Sequence, residues 1–457
     1  MIHQAIDLAI KYRKLVMLLF LGIALASVYS IKTAHVDAIP DIGENQQIVF
    51  TEWPGRSPKD IEEQLTYPLS VMLQGIPGVK QVRGSSAFGF STIYVVFKED
   101  VDFYWSRSRV LEKLATVGGD LPNGVNPSLG PDATGLGQVF WYTIENKADA
   151  KKPRSLTELR SMQEFYARYM LQAVEGVSEV ASVGGFLKEY QIDVDPNKLF
   201  AFDVHLNHLV KAIQNSNIDV GAEVIEDGDR EFIVRGRGFF RSLEDIENVV
   251  VAIKNQKPVR VMDIASVGVG PAFRRGALDK NGKEVVGGVI TMRFGENPQL
   301  VIDRVKERIE VLRRGLPEGV ELLPFYDRTT LISKTLATVT NALVQEIIIT
   351  ILVVGMFLLH LKSSLLVTLT LPLGVGISVI LMKFLDIDSN VMSLAGLVIA
   401  IGSMVDMGII MTENIYRHLA ERPNSTTSER LAIVSKSARE VGPAILVAVL
   451  TTVITFL

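Results

Sequence analysis

Five apolar runs constrain this chain more than anything else in it. One lies near the start, at residues 15–32, and four more come later, at 336–359, 364–385, 391–416 and 441–457. About twenty apolar residues carry a helix across a bilayer core, so each run is expected to be a transmembrane helix. The last stops at Leu457 with no loop or polar anchor after it, the expectation for a fragment of a longer protein. Residues 33–335, between the first and second runs, are polar and patterned like an α+β domain. The predicted architecture is therefore a membrane helical bundle plus a large water-exposed α+β domain.

The run at 391–416 carries Asp406 in its middle and Glu413 near its end. An unpaired aspartate at a membrane helix centre costs roughly 2.5–3.5 kcal/mol on insertion scales, so a residue kept there marks a proton or ion path, or pairs with another helix. Glu413 is seven residues on, two turns away and on the same side. Two carboxylates along one face suit a proton relay, although Glu413 also reads as an interfacial carboxylate. Glu346, inside the preceding run, is a third candidate, and Gly402 on the Asp406 side would let another helix approach closely. Met404, Met407 and Met411 fall on the other side of the helix, with Met392 near its start. Such a stripe is usually packing, but thioether ladders suit soft Cu(I) or Ag(I).

Composition removes several function classes. At 48% hydrophobic and 21% charged, the chain is too apolar for a plain soluble enzyme and too charged to lie wholly in the membrane. A net charge of −4 argues against a nucleic-acid surface. Without cysteine there is no disulfide, zinc–thiolate site or thiol nucleophile, so softness towards a metal rests on 13 methionines and 6 histidines. His205 and His208 are three apart with no third ligand, and no phosphate-binding Gly-x-x-x-x-Gly-Lys loop is present.

Charge sets the topology. Residues 1–14 form an amphipathic helix ending in Lys11, Arg13 and Lys14, with no convincing cleavage site after it, so an uncleaved helix with a cytoplasmic basic end is expected. His360 and Lys362, and the segment 417–440 with Arg417, His418, Arg422, Arg430, Lys436 and Arg439, fall on the same side. Asp386 and Asp388 fall on the other, with residues 33–335.

A duplication is legible in that domain. Gly78-Val79-Lys80-Gln81-Val82 resembles Gly176-Val177-Ser178-Glu179-Val180, each after an amphipathic helix (58–74 and 156–173) and each followed by a strand, ending near Phe97 or lying near Tyr190. Leu121-Pro122-Asn123-Gly124-Val125 likewise resembles Leu316-Pro317-Glu318-Gly319-Val320. Strand, helix, two strands, helix, strand is the split βαβ pattern of ferredoxin-like units. Two are expected, at 44–130 and at 138–217 plus 286–326, the second interrupted by an insertion at 218–285. The aromatics from Phe165 to Tyr169 read as core.

Several stretches together resemble the heavy-metal efflux branch of the resistance–nodulation–division transporters. They are Val36-Asp37-Ala38-Ile39-Pro40-Asp41, Tyr67-Pro68-Leu69, Leu129-Gly130-Pro131-Asp132-Ala133-Thr134-Gly135, Val180-Ala181-Ser182-Val183-Gly184-Gly185, Pro271 with Arg274-Arg275-Gly276, and Ser403-Met404-Val405-Asp406 through Glu413-Asn414. The resemblance implies the N-terminal half of an inner-membrane, multi-pass proton/cation antiporter rather than an enzyme. It implies periplasmic porter units with a docking insertion, a homotrimer, and as partners a periplasmic adaptor (membrane fusion) protein and an outer-membrane channel. No resident cofactor is implied: the metal cation is cargo and the proton motive force drives it. Asp406 matches the family's proton-relay aspartate and Glu413 the acidic residue after it. Divalent-metal branches carry another aspartate where this chain has Ala400, whereas Ala400-Ile401-Gly402-Ser403-Met404-Val405-Asp406 fits the copper/silver pattern. Met392, Met404 and Met411 match methionines that branch uses for metal. The alternatives are efflux of divalent Zn, Co, Cd or Ni, export of organic amphiphiles, which the 7% aromatic content does not favour, and an inactive fragment.

Overall fold

A computed structural model of the chain describes residues 2–33, 36–117, 121–254, 256–274, 276–358, 361–385 and 387–456. Arg275, His360, Asp386 and Leu457, used above for motif, topology and chain end, lie outside the described residues. The chain begins with α1 (Ile2–Lys11) and α2 (Arg13–Thr33). It then forms a first α+β unit: β1 (Gln46–Glu52), α3 (Pro58–Ile61), α4 (Tyr67–Gln74), β2 (Val79–Ala87), β3 (Phe90–Phe97), α5 (Phe103–Thr116) and β4 (Pro127–Leu129). The sheet order is β2-β3-β1-β4 with every neighbouring pair antiparallel, which is the split βαβ arrangement. Val49, Leu69, Leu73, Ile93, Val95 and Val110 close its core between sheet and helices.

A second unit starts with β5 (Gln138–Asn146), α6 (Leu156–Met162), α7 (Arg168–Gln172) and β6 (Val177–Val183). Here the structure corrects the expected domain boundaries. The strand expected to follow β6 in the same sheet, β7 (Lys188–Val194), is not part of it. It opens an insertion that continues through α8 (Pro196–Ala201), α9 (Leu206–Ser216), β8 (Val220–Asp227), β9 (Arg230–Gly236), α10 (Leu243–Glu247), β10 (Val250–Lys254), β11 (Lys257–Arg260), α11 (Val261–Ile264) and β12 (Ala265–Pro271). β7 pairs antiparallel with β12, from Val194↔Ala265 to Lys188↔Pro271. Ile192 and Val194 pack on a core of Val204, Leu209, Val249, Val261 and Ile264. The inserted part thus begins by residue 188 rather than 218, because a strand's period of two says which face is buried and nothing about which partner it pairs with. The second sheet is completed by β13 (Leu278–Lys280), β14 (Lys283–Met292), α12 (Pro298–Gly315) and β15 (Val320–Asp327), with β14 between β6 and β5, and β15 on the far side of β5.

The two units share local devices. Each first helix opens on a capping box, Ser57 with Asp60 and Ser155 with Glu158, which satisfies N–H groups the helix leaves free. Each then passes through a π-helical turn, Glu62–Thr66 and Gln163–Ala167, that the sequence pattern did not reveal. The second turn rotates Phe165 and Tyr169 outwards, 65% and 68% exposed, so of the expected aromatic core only Tyr166 packs inside. Gly78 and Gly176 adopt φ of +81° and +88° at the same turn. A Cβ on Gly176 would also lie 2.5 Å from Val301 Cγ2. Gly176→Ala is therefore expected to cost roughly 1–3 kcal/mol in backbone strain plus repacking of Val301. Gly124→Ala, with a φ of +82° but open space, should show the strain alone, and comparing the thermal midpoints of the two variants checks this.

β15 runs without a linker into α13 (Arg328–Leu358), followed by α14 (Leu361–Phe384), α15 (Val391–Ala420) and α16 (Thr427–Phe456). In a bilayer core the backbone must satisfy its own hydrogen bonds, and helices do so within one segment. Among the described residues α2, α15 and α16 are long and apolar enough to cross a membrane, and α14 contributes a shorter apolar stretch, Leu369–Phe384. The expected boundaries at 336, 416 and 441 shift: α13 starts at Arg328, α15 persists to Ala420, and α16 runs unbroken from Thr427 through Pro443. Segment 417–440 is thus mostly helix.

α1 is tethered to α16. Asp7 accepts hydrogen bonds from Ser435 Oγ at 2.8 Å and Arg439 Nε at 3.0 Å, and Ile6 packs where a Cβ on Gly442 would be. The Arg439 hydrogen bond holds the Asp7 carboxyl below its ordinary value of 3.8. A depressed value contributes stability above the unfolded pKa that is lost as pH falls through the folded one. A fluorophore on a cysteine introduced at Gln4 should therefore report release of α1 in acid below that value, and Asp7→Asn should show the released signal at neutral pH. A signal that ignores both pH and the substitution would exclude the tether.

Candidate functional site

The centre of the apolar helical part is α15. Its start is fixed by Asn390, whose side-chain oxygen accepts from the N–H groups of Met392 at 3.0 Å and Ser393 at 3.1 Å. Asn390 N–H in turn donates to Ser393 Oγ. From that cap thirty residues run on, about 45 Å at 1.5 Å per residue, against a hydrocarbon core of about 30 Å. Asp406 lies about 22 Å along the helix.

One face of α15 is packed. Leu397 and Ile401 are buried with Leu371 of α14, and Ile347 of α13, Val375, Met404 and Val405 close around them. Asp406 and Glu413 point away from this cluster, and both are exposed. Gly402, one turn before Asp406, lies on the Asp406 side, and a Cβ there would sit 4.0 Å from Glu346 Oε1. The α13 carboxylate thus comes within ordinary contact distance of α15 one turn from Asp406. Two acidic groups from different helices converge on this level, while Glu413 stands two turns further along.

The methionines do not form one cluster. Met404 lies on the backbone of α14, where a Cβ on Gly374 would come within 3.1 Å of its sulfur and closer still to its methyl group. Met411 is half-buried about 10 Å further along the axis. Met392 is 66% exposed at the start of the helix, about 18 Å from Met404 along the axis and roughly 120° around it. No pair of these three on the one helix is spaced to hold a single cation together. Among the described residues there is no group of three or more His, Asp or Glu side chains placed to hold a metal ion. His205 and His208 meet edge to face with ring centroids 5.7 Å apart, both on the surface.

Beyond Glu413 the helix is stapled to α16. Asn414, 3% exposed, donates from Nδ2 to the Ser437 carbonyl at 2.9 Å and accepts from Arg417 at 2.8 Å. His418 Nε2 lies 2.8 Å from the Glu440 carboxylate. At the opposite end, the segment after α2 reaches the start of α15, and Asp37 meets Arg328 in a bidentate pair at 2.9 and 2.8 Å. Sequence reading misses these polar joints, because each needs a partner from a distant part of the chain. The only local signal is an arginine where a strand turns into an apolar helix.

Comparison with known proteins places this geometry. Residues 5–457 match the AcrB/AcrD/AcrF family. Over its whole length the chain is 39% identical to the cation efflux system protein CusA of Escherichia coli (strain K12), covering 44% of that protein. It is 35% identical over 449 residues to the cobalt-zinc-cadmium resistance protein CzcA of Cupriavidus metallidurans, covering 96% of this chain and 42% of that one. A crystal structure of a heavy metal efflux pump superposes with a TM-score of 0.85 at 31% identity, over 97% of this chain and 43% of the other. The chain thus spans less than half the length of the curated relatives it matches.

Proposed function

We propose, since the chain belongs to the AcrB/AcrD/AcrF family, that it works within an inner-membrane pump exporting heavy-metal cations in exchange for protons. The observation that carries this reading is Asp406, halfway along an apolar helix and off its packed face, one turn from Gly402, which the Glu346 carboxylate approaches. Asp406 takes a proton from the periplasmic side and releases it to the cytoplasm, and Glu413 passes it onward. A carboxylate in a low-dielectric setting changes proton affinity when its solvation changes, so a helix that moves between two environments converts a proton gradient into motion. The 36–327 region is the periplasmic part, with the two split βαβ units as porter and the insertion as docking element.

Cu(I) or Ag(I) is the favoured cargo, because thioether sulfur is the soft ligand available on α15 and Ala400 stands where divalent-metal pumps carry a carboxylate. With Met392, Met404 and Met411 separated along the axis, cargo would step between sites. The pump carries no resident cofactor. It assembles as a homotrimer with a periplasmic adaptor and an outer-membrane channel. The β8–β9 hairpin, whose Ile225, Phe232 and Ile233 are all exposed, supports assembly, since such a ribbon needs a partner to bury its apolar side chains. A second reading, divalent cation export, is favoured by one fact: the Met404 thioether is occupied in packing against α14.

Proton-driven uptake of Cu(I), Ag(I), Zn(II) and Co(II) into inside-out proteoliposomes of the pump containing this chain separates the readings. Cu(I) flux should exceed Zn(II) flux and fall about tenfold or more in Met404→Ile with Met411→Ile, as expected when soft ligands are removed. Unchanged Cu(I) flux in that double variant would exclude the thioether route, and Zn(II) or Co(II) flux above Cu(I) flux in the parent would favour the divalent reading.

A further inference from the structure

Residues 36–38, just beyond α2, are held by two separate parts of the chain, residues 389–391 and Arg328. Val36 and Ser389 form a parallel β-bridge. Asp37 N–H donates to the Ser389 carbonyl at 3.1 Å, and Val391 N–H, at the first residue of α15, donates to the Ala38 carbonyl at 3.3 Å. Ala38, Ser389 and Asn390 are all buried, so this joint is internal. The Asp37 carboxylate turns the other way, onto Arg328, the first residue of α13, through the bidentate pair. Arg328 is 5% exposed and donates a further hydrogen bond to the Leu136 carbonyl, in the turn that leads into β5. Beside it, Asp327 at the end of β15 accepts from Thr329 N–H at 2.9 Å and pairs with Lys306 of α12 at 2.6 Å.

We infer that Asp37 and Arg328 are positioning residues that couple the start of the Asp406 helix to strands β5 and β15 of the second α+β unit. The coupling has two links of different kinds. Backbone hydrogen bonds bind residues 36–38 to the start of α15, so an axial shift of α15 must carry that segment with it. A guanidinium fork then binds the segment to Arg328, which belongs rigidly to α13 and, through Leu136 and the uninterrupted β15–α13 junction, to both strands. A bidentate arginine–carboxylate pair fixes direction as well as distance, so it transmits a push where a single hydrogen bond would swivel. Burial pushes the Asp37 carboxyl up against the pull of Arg328, which fits a joint shielded from water. The inference rests on the reading of Asp406 as proton carrier, since that residue supplies the movement.

The test is amide hydrogen exchange on the full-length pump, comparing Asp406→Asn, a mimic of the protonated state, with the parent protein. Exchange in the Leu136 turn, β5 and β15 should change on that substitution. In an Asp37→Asn background the same substitution should leave those segments unmoved, and in the charge-exchanged Asp37→Arg with Arg328→Asp background the response should return at least in part. If Asp37→Asn does not fold, Arg328→Lys keeps the charge and removes the fork, and it too should lose the response. A response of equal size with and without the pair overturns the joint while leaving Asp406 as the proton carrier. No response to Asp406→Asn in any background, together with unimpaired efflux, overturns the relay reading and the joint with it.

Discussion

Asp406→Asn is expected to abolish proton-driven cation efflux, lowering it ~100-fold or more, the scale on which loss of a positioned proton-transfer group is felt. Asparagine keeps the volume and much of the hydrogen bonding of aspartate but cannot take up and release a proton. The substitution removes a costly intramembrane carboxylate, so the variant should fold and assemble at least as well as the parent. Loss of flux then cannot be attributed to loss of protein. Asp406→Glu should retain part of the activity, and Glu413→Gln should cost far less, because Glu413 lies towards the end of α15 where water can substitute for it. Glu346→Gln is expected to fall between them, since its carboxylate reaches the Asp406 level from α13. Measured as pH-jump flux in proteoliposomes, efflux by Asp406→Asn within twofold of the parent would remove it from the relay.

The second large effect is on stability. Asp37→Ala leaves the Arg328 guanidinium buried without its counter-charge, expected to cost about 3 kcal/mol, the low end for breaking a buried pair because the Asp37 side chain keeps some solvent contact, 17% exposed. Arg328→Met should cost roughly half as much, since a carboxylate can escape the penalty by binding a proton and a guanidinium cannot. Burial already pushes the Asp37 carboxyl up, and removing Arg328 lets it rise further. A group whose folded pKa lies above its unfolded value contributes stability below the unfolded value, lost as pH rises through the folded one. Arg328→Met should therefore lose thermal stability as pH rises above the ordinary carboxylate value of 3.8, while Asp37→Ala shows no such slope from this pair. Thermal midpoints of both variants across that rise in pH decide the matter, and an equal pH dependence in the two would contradict the buried pair.

How much can be read in the sequence depends on the range of the interaction involved. The apolar runs are local, as are the turns at Gly78 and Gly176 that mark the duplication. Asp406 stands out for the same reason, since a carboxylate amid apolar neighbours needs no partner to be noticed. The strand at Tyr190 leaves its expected sheet because pairing is not local: β7 finds β12 more than seventy residues later, and nothing in its alternation distinguishes that edge from β14. Phe165 and Tyr169 face outwards, against the expectation of core, because they lie within and just after a π-helical turn, whose extra residue shifts side chains off the 3.6-residue stripe.

By itself, then, the sequence determined that the chain has apolar helices around a duplicated α+β region, with an acidic group in the middle of one of them. Helix, cap and turn depend on neighbours a few residues apart, so their physics is written in consecutive letters. Only the tertiary structure decided that Glu346 approaches Gly402 near Asp406, that Met404 spends its thioether on α14, and that Asp37 and Arg328, 291 positions apart, close on one another at the start of α15. Those are matters of which surfaces meet, and a buried charge or a bare glycine backbone takes its meaning from the partner that the fold brings to it.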